Sequence, residues 1–325
     1  MRLHRPHRRA LGPGTVPLAL LVLAAVTGLA GCSASTVEPA AVPASGSPSV
    51  TPSASPTPSP SPSPLAQLPV GGRVIFPRYR VVCYYGGAGT AALGVLGQGT
   101  PDQAAQNLLA AARPFSTPTR PVLPAFELIT VVAQAHPGPA GDYAAQTAPA
   151  DVQRYLTAVR KIHGLLILDI QPGRADFLAK VKLYEKFLEQ PDVGLALDPE
   201  WHMGPGQVPG QVIGSATAAE INAVSAYLAQ IVASHQLPQK LFVIHQFTYD
   251  MVVNKPQVLA RPGLATVFHI DGFGSRPAKL QKYGVLHVVP PFYNGFKLFY
   301  RQDINRFSPQ EAIALTPSPD LFSYQ

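Results

Sequence analysis

Cysteine is almost absent from this 325-residue chain, which holds only Cys32 and Cys83. Cys32 closes an N-terminal apolar segment, so the folded part keeps Cys83 alone and can form neither an internal disulfide nor a multi-cysteine zinc site. Cys83 stands between Val82 and Tyr84 in an apolar run. That is the setting of a buried structural thiol rather than of a reactive thiolate, which needs partial exposure and positive charge nearby. Charge is also scarce, at 13% Asp, Glu, Lys and Arg. No basic tract interleaves with aromatic residues, which excludes nucleic acid as a partner. Gly86-Gly87-Ala88-Gly89-Thr90 is glycine-rich, but it lacks the G-x-G-x-x-G spacing and the lysine of a phosphate-binding loop. Tryptophan occurs once, at Trp201.

What is present at the N-terminus has a clear layout. Residues Met1 to Arg9 hold Arg2, Arg5, Arg8 and Arg9 and no acid, and an apolar run follows from Val16 to Leu29. Basic, then apolar, then small is the order of a secretory signal. The run falls short of the roughly 20 residues a membrane-spanning helix needs. Leu29-Ala30-Gly31-Cys32 resembles the lipobox of bacterial lipoproteins. The resemblance implies that the Cys32 thiol takes a diacylglycerol, that the chain is cut before it, and that the membrane is a partner through this lipid.

Between Ser33 and Pro64 the only charge is Glu38, and Ser47 to Pro64 is nearly all Ser, Thr and Pro. Such a segment has too little apolar surface to offset its ordering entropy. It is expected to form an extended stalk of roughly 3.1 Å per residue, reaching up to about 90 Å over about 30 residues. The expected organisation is a signal over 1–31, a lipidated linker over 32–65 and a folded domain over 66–325. The net charge of +7 comes largely from the signal: removing its four arginines from 25 basic residues, and Glu38 from 18 acids, leaves 21 against 17. A solvated, near-neutral monomer is expected.

Beyond the linker, short Val-, Ile-, Leu-, Phe- and Tyr-rich runs recur at 80–85, 126–134, 165–171, 193–200, 241–247, 266–271 and 285–289, with a last candidate at 320–325. They read as buried parallel strands. Helical patterns fall between them. Thr100-Pro101-Asp102 opens the first, 151–163 and 175–188 carry apolar residues at three- and four-residue spacing, and Thr217 with Glu220 makes a capping box for 217–235. Shorter helices are expected near 256–260, 277–283 and 309–315. Alternating strands and helices of this number fit an α/β fold, a (β/α)8 TIM-type barrel, with an open doubly wound sheet as the competitor.

In a barrel the active site forms at the C-terminal ends of the strands, and here the strand runs finish polar. The third ends Leu168-Asp169-Ile170-Gln171, the fourth Leu197-Asp198-Pro199-Glu200-Trp201, the fifth Ile244-His245-Gln246 and the sixth His269-Ile270-Asp271. The second ends at Gln134, the first at Tyr84-Tyr85 and the seventh near Phe292-Tyr293-Asn294. Because strand residues alternate between faces, Asp198 and Glu200 share the small-residue face of Gly194 and Ala196. Asp169 pairs in parity with Gln171, and Asp271 with His269. Four acids from three strands are thus expected at one rim. A single Asp at a strand end often only caps the next turn. Four converging like charges need an offsetting proton, cation or substrate. His245 can face inward or toward the helices, where it would be a hydrogen-bonded structural residue, and Trp201 can be a loop anchor or a sugar-stacking platform.

The Asp198-Pro199-Glu200-Trp201 ending is similar to the fourth strand of family 18 chitinases, whose pattern is D-x-x-D-x-D-x-E. Val193 and Ala196 stand at its two earlier acidic places, where substrate-assisted chemistry would need acids. A D-x-E strand ending also occurs in family 25 lysozymes. The lipobox, the Ser/Pro stretch and the runs 168–174 and 197–201 together resemble an uncharacterised group of lipoproteins from high-GC Gram-positive bacteria.

These readings lead to a cell-surface, glycoside-hydrolase-like barrel acting on wall or environmental polysaccharide without a cofactor. Glu200 is expected as the acid, its pKa raised by Asp198 and apolar cover, and Asp271 or Asp169 as its carboxylate partner. Gln134, Gln171, Gln246 and Tyr293 would hold sugar hydroxyls, with Trp201, His245 and Tyr84 completing the binding surface. Two alternatives stand beside it. One is a metal-dependent hydrolase with Asp169, Asp198, Asp271 and His245 as ligands of a divalent ion, although no His-x-His motif marks the first strand. The other is a non-catalytic carbohydrate- or peptide-binding lipoprotein.

Overall fold

Seven of the eight apolar runs of the sequence fall in strands of the computed structural model, which describes residues 64–325, and a further strand follows the run at 285–289, giving eight barrel strands. They are β1 (Arg80–Gly87), β2 (Val122–Ala133), β3 (Leu165–Ile170), β4 (Val193–Leu197), β5 (Lys240–Gln246), β6 (Leu264–Ile270), β7 (Tyr293–Leu298) and β8 (Leu321–Tyr324). Each pairs in parallel with the next, and β8 pairs with β1, so the sheet closes into a (β/α)8 barrel. The competing open sheet is thereby excluded. The signal, Cys32 and the linker up to residue 63 lie outside the described residues.

Closure divides the strand residues into two cores. Outward residues such as Val82, Phe126, Leu166, Leu195, Phe242, Phe268 and Phe296 pack against the surrounding helices. Inward residues Val81, Cys83, Ala125, Ile167, Ala196, Val243, Val267 and Leu321 fill the barrel's lower half, and Leu68, Ile75, Phe76 and Tyr79 plug its base. Cys83 is fully buried there, and burial pushes its thiol well above the ordinary range. The lower barrel is therefore an apolar packed core, and polarity is confined to its upper half.

The helices start where cap chemistry places them. Thr100 and Gln103 cap α1 (Pro101–Ala112), and Thr217 and Glu220 cap α4 (Ala218–Ser234), each through a reciprocal pair of bonds. Between them lie α2 (Pro149–Arg160) and α3 (Phe177–Lys182), and after them α5 (Arg276–Leu286) and α6 (Pro309–Ile313). The helix expected over 175–188 is broken in two, a one-turn helix over Glu185–Leu188 following α3. The helix expected over 256–260 is only a 3-10 turn at Lys255–Gln257.

One strand was misplaced by its apolar content. Residues 285–289 are not β7: α5 runs through Leu286, and Val285 and Val289 are 71% and 70% exposed. The true β7, Tyr-Asn-Gly-Phe-Lys-Leu, reads as polar because its inward side faces the polar interior. Gly295 on this strand is required by close approach. A Cβ there would lie 2.2 Å from the Nδ1 of His269, so only glycine lets that ring enter the barrel.

Candidate active site

Above the apolar floor every strand delivers at least one polar side chain inward. Tyr85 comes from β1, Glu127 from β2, Asp169 from β3, Asp198 from the residue after β4, His245 from β5, His269 and the following Asp271 from β6, Lys297 from β7 and Ser323 from β8. All are buried. The parity reading of Asp169, Asp198 and Asp271 thus matches where the strands put them. The fourth strand stops at Leu197, and Glu200 and Trp201 follow in a 3-10 turn over Pro199–Trp201. A cavity of about 340 Å³ opens over this layer, at the small end of ligand pockets. Tyr85, Gln171, Asp198, Glu200, Trp201, Asp271 and Lys297 line it, with Phe247, Phe273 and Phe299 as further aromatic walls.

The deepest feature is a bridge of three residues. His245 places Nε2 2.8 Å from Glu127 Oε1 and Nδ1 2.9 Å from Asp271 Oδ2, with Glu127 and His245 fully buried. Both ring nitrogens face carboxylate oxygens, so the ring donates twice and carries both protons. Burial disfavours the imidazolium, but the two carboxylates outweigh it and hold His245 well above its ordinary pKa. In return, burial would raise Glu127, and the charge and hydrogen bond of His245 keep it below its usual value. Asp271 is likewise brought down to about 2, against burial, by the His245 bond and the charges of His245 and Lys297. Lys297 lies 3.9 Å from Asp271 and 3.5 Å above the Tyr85 ring centroid. His269 donates to or accepts from Ser323 Oγ at 2.7 Å; burial and then the neighbouring imidazolium lower it to about 3, leaving it neutral.

Two charged acids and two cations balance, and the remaining carboxyls are pushed toward their neutral forms. Burial raises Asp198 well above its ordinary value. Asp169 rises to about 7, chiefly by burial and further by Glu127. Glu200 also rises to about 7, by burial and then by the negative charge of Asp271. Tyr85 donates to Asp169 Oδ2 at 3.1 Å and accepts from Gln171 Nε2 at 3.1 Å, while Gln171 Oε1 accepts from the Ala133 amide. One oxygen each of Glu127, Asp169, Asp198 and Asp271 is buried without a partner.

Four expected site residues are placed elsewhere. Tyr84 alternates with Tyr85 and points outward, its hydroxyl donating to the Asn107 carbonyl at 3.2 Å. Gln246 alternates with His245 and binds the carbonyls of Thr248 and Tyr249 while accepting from Lys255. Tyr293 begins β7 instead of ending it, so it lies at the barrel base with its ring 4.6 Å from Phe76. Gln134 lies just past the end of β2, and its amide turns back to the Val132 carbonyl instead of entering the cavity. His245 is inward, beneath the cavity and not on its lining. Its two nitrogens are engaged by carboxylates, whereas a metal ligand must present a free lone pair. Among the described residues no group of three or more His, Cys, Asp or Glu side chains is spaced to hold a metal ion.

Glu127 and Lys297 were not anticipated. Glu127 is a lone charge between Phe126 and Leu128 in an apolar run, a signal that parity alone would have turned inward. Lys297 was hidden by the misplaced seventh strand.

Neither a family model nor a curated protein matches this chain. Among solved structures it is similar to dihydropteroate synthase of Burkholderia cenocepacia, determined with 7,8-dihydropteroate, over 77% of this chain and 86% of that one, at 13% identity and a TM-score of 0.33. A likeness this distant says nothing about ligand or reaction.

Proposed function

We propose that this barrel is a glycoside hydrolase, acting on a cell-wall or environmental polysaccharide from the outer face of the membrane. The observation that carries the reading is the divergence of two carboxyls lining one cavity, Glu200 at about 7 and Asp271 at about 2. Two titratable groups pushed apart in this way are suited to be acid and nucleophile or base at the same pH. Glycosidic cleavage requires that pair.

Glu200 keeps its proton to near neutrality and gives it to the leaving glycosidic oxygen. Asp271 stays ionised, its Oδ2 held by His245 and Lys297 and its Oδ1 left without a partner. Asp271 lines the same cavity, and its carboxylate serves there as nucleophile or charge stabiliser. A carboxylate of low basicity is also a good leaving group, which suits the second step if a glycosyl ester forms on it. Asp198, kept toward neutrality, and the pinned Gln171 side chain offer hydrogen bonds to hydroxyls, while Asp169 lies beneath the lining and holds Tyr85. Trp201 and Phe273 supply flat apolar faces for a sugar ring.

Release of reducing ends from purified wall polysaccharides by the full-length protein tests the reading. A chain that binds a glycan without any release is a binding lipoprotein instead. The anchor is part of the same proposal. Metabolic labelling with a radioactive fatty acid is expected to mark the wild-type chain, and Cys32→Ser to abolish the label; equal labelling of both would remove the lipid from Cys32.

A further inference from the structure

The cavity contains one positive charge that the mechanism does not use. Lys282, on α5, lines the mouth, and its ammonium lies 5.4 Å from the Phe247 ring centroid. The side chain is laid over Gly272, where an added Cβ would come within 2.7 Å of both Lys282 Cδ and Nζ. Gly272 therefore gives Lys282 a path across the backbone immediately after Asp271. The other lysines of this region are committed: Lys297 is beside Asp271, and Lys279 pairs with Asp303 at 3.0 Å and donates to the carbonyls of Gly272 and Lys297. Among the described residues no carboxylate pairs with Lys282 and no acceptor takes its protons. A half-buried ammonium without a partner, held at the rim of a cavity, is an unmatched binding charge.

We infer that the substrate is an acidic glycan, and that Lys282 pairs with a sugar carboxylate at the mouth of the cavity beside the scissile bond. The inference rests on the hydrolase reading for the bond that is cut, but the anion site stands on geometry of its own. The carboxylate belongs to a uronic acid or to an acidic ether substituent of the sugar; the two share the chemistry that Lys282 recognises. Among the neighbouring acids, Asp198 and Glu200 are held toward their neutral forms by burial, and the negative charge of Asp271 is matched by His245 and Lys297.

The test compares polygalacturonate, hyaluronate and peptidoglycan glycan strands, each beside the same polymer with its carboxyls reduced to alcohols. The full-length protein is expected to act on at least one acidic polymer with kcat/KM about tenfold or more above the reduced form, the scale of a hydrogen-bonded charge. Lys282→Gln is expected to lose that preference mainly through KM, and Lys282→Arg to restore most of it. Which polymer shows the preference separates a ring carboxylate from an ether one. Equal cleavage of acidic and reduced polymers overturns the acidic-glycan claim while the hydrolase reading survives. Where nothing is cleaved, calorimetric titration of fragments of the same three acidic polymers decides. Binding that Lys282→Gln weakens about tenfold keeps the anion site and removes the hydrolase; no binding, or binding indifferent to Lys282, overturns the site.

Discussion

Replacing Glu200 by Gln is expected to lower glycan cleavage by about 10²- to 10⁴-fold, the usual contribution of a positioned general acid. The amide keeps the size of the side chain but has no proton to give to the leaving oxygen. KM should change little, because the loss falls on a group that acts in the transition state. The pH dependence follows from the same residue. Glu200 must be protonated to work, and its carboxyl titrates at about 7. The wild-type rate should therefore hold on the acid side and fall as pH rises through about 7. Glu200→Gln should lose that alkaline limb along with the rate. A variant that retains wild-type turnover, or a limb that persists in it, would remove Glu200 from the role.

Truncating His245 to Ala should give the largest stability loss. The ring is the only group bridging Glu127 and Asp271, and both acids are buried beside it. Its removal leaves two carboxylates in the barrel interior, with Lys297, 3.9 Å from Asp271, left to offset them. Breaking a buried ion network in this way costs about 3–5 kcal/mol. Denaturant unfolding should show a lower midpoint with an unchanged slope. The sign of the pH effect can be worked out. The folded pKa of His245 is raised, so its contribution is fully present below the unfolded value of about 6.5 and is lost only as pH rises through the higher folded value. The gap between wild type and variant should thus be widest in mildly acidic buffer and narrow in alkaline buffer. A loss under about 1 kcal/mol at pH 6 would mean that the bridge is not charged as described.

Much of this arrangement was legible in the sequence because one rule governs both strand and site. Alternation along a strand sends every second side chain inward, so Asp169, Asp198 and Asp271 could be assigned to one interior from their neighbours alone. The same rule fails where the backbone departs from regularity. The irregularity after Ile129 reverses the parity of β2, so that Val132 and not Val131 reaches the cavity, and Gln134, past the strand's end, turns its amide back on the chain. The choice of Tyr84 over Tyr85 was a one-residue error, which in a strand means the opposite face. Apolar content misled at β7, because an inward lysine and two small or polar residues made the true strand look like a loop. Glu127 was readable in principle, as the lone acid of β2, but its purpose appears only with His245, 118 residues away, between it and Asp271. Long-range pairing of that kind leaves no local trace.

The central claim is that one cavity holds a protonated Glu200 next to an ionised Asp271, and its most direct measurement needs no substrate. Carboxyl-carbon NMR of the full-length protein, labelled at Glu and Asp and assigned with Glu200→Gln and Asp271→Asn, follows both groups through pH. The account expects Glu200 to titrate near 7 and Asp271 near 2. Both residues titrating together near the ordinary carboxylate value of about 4 would contradict it.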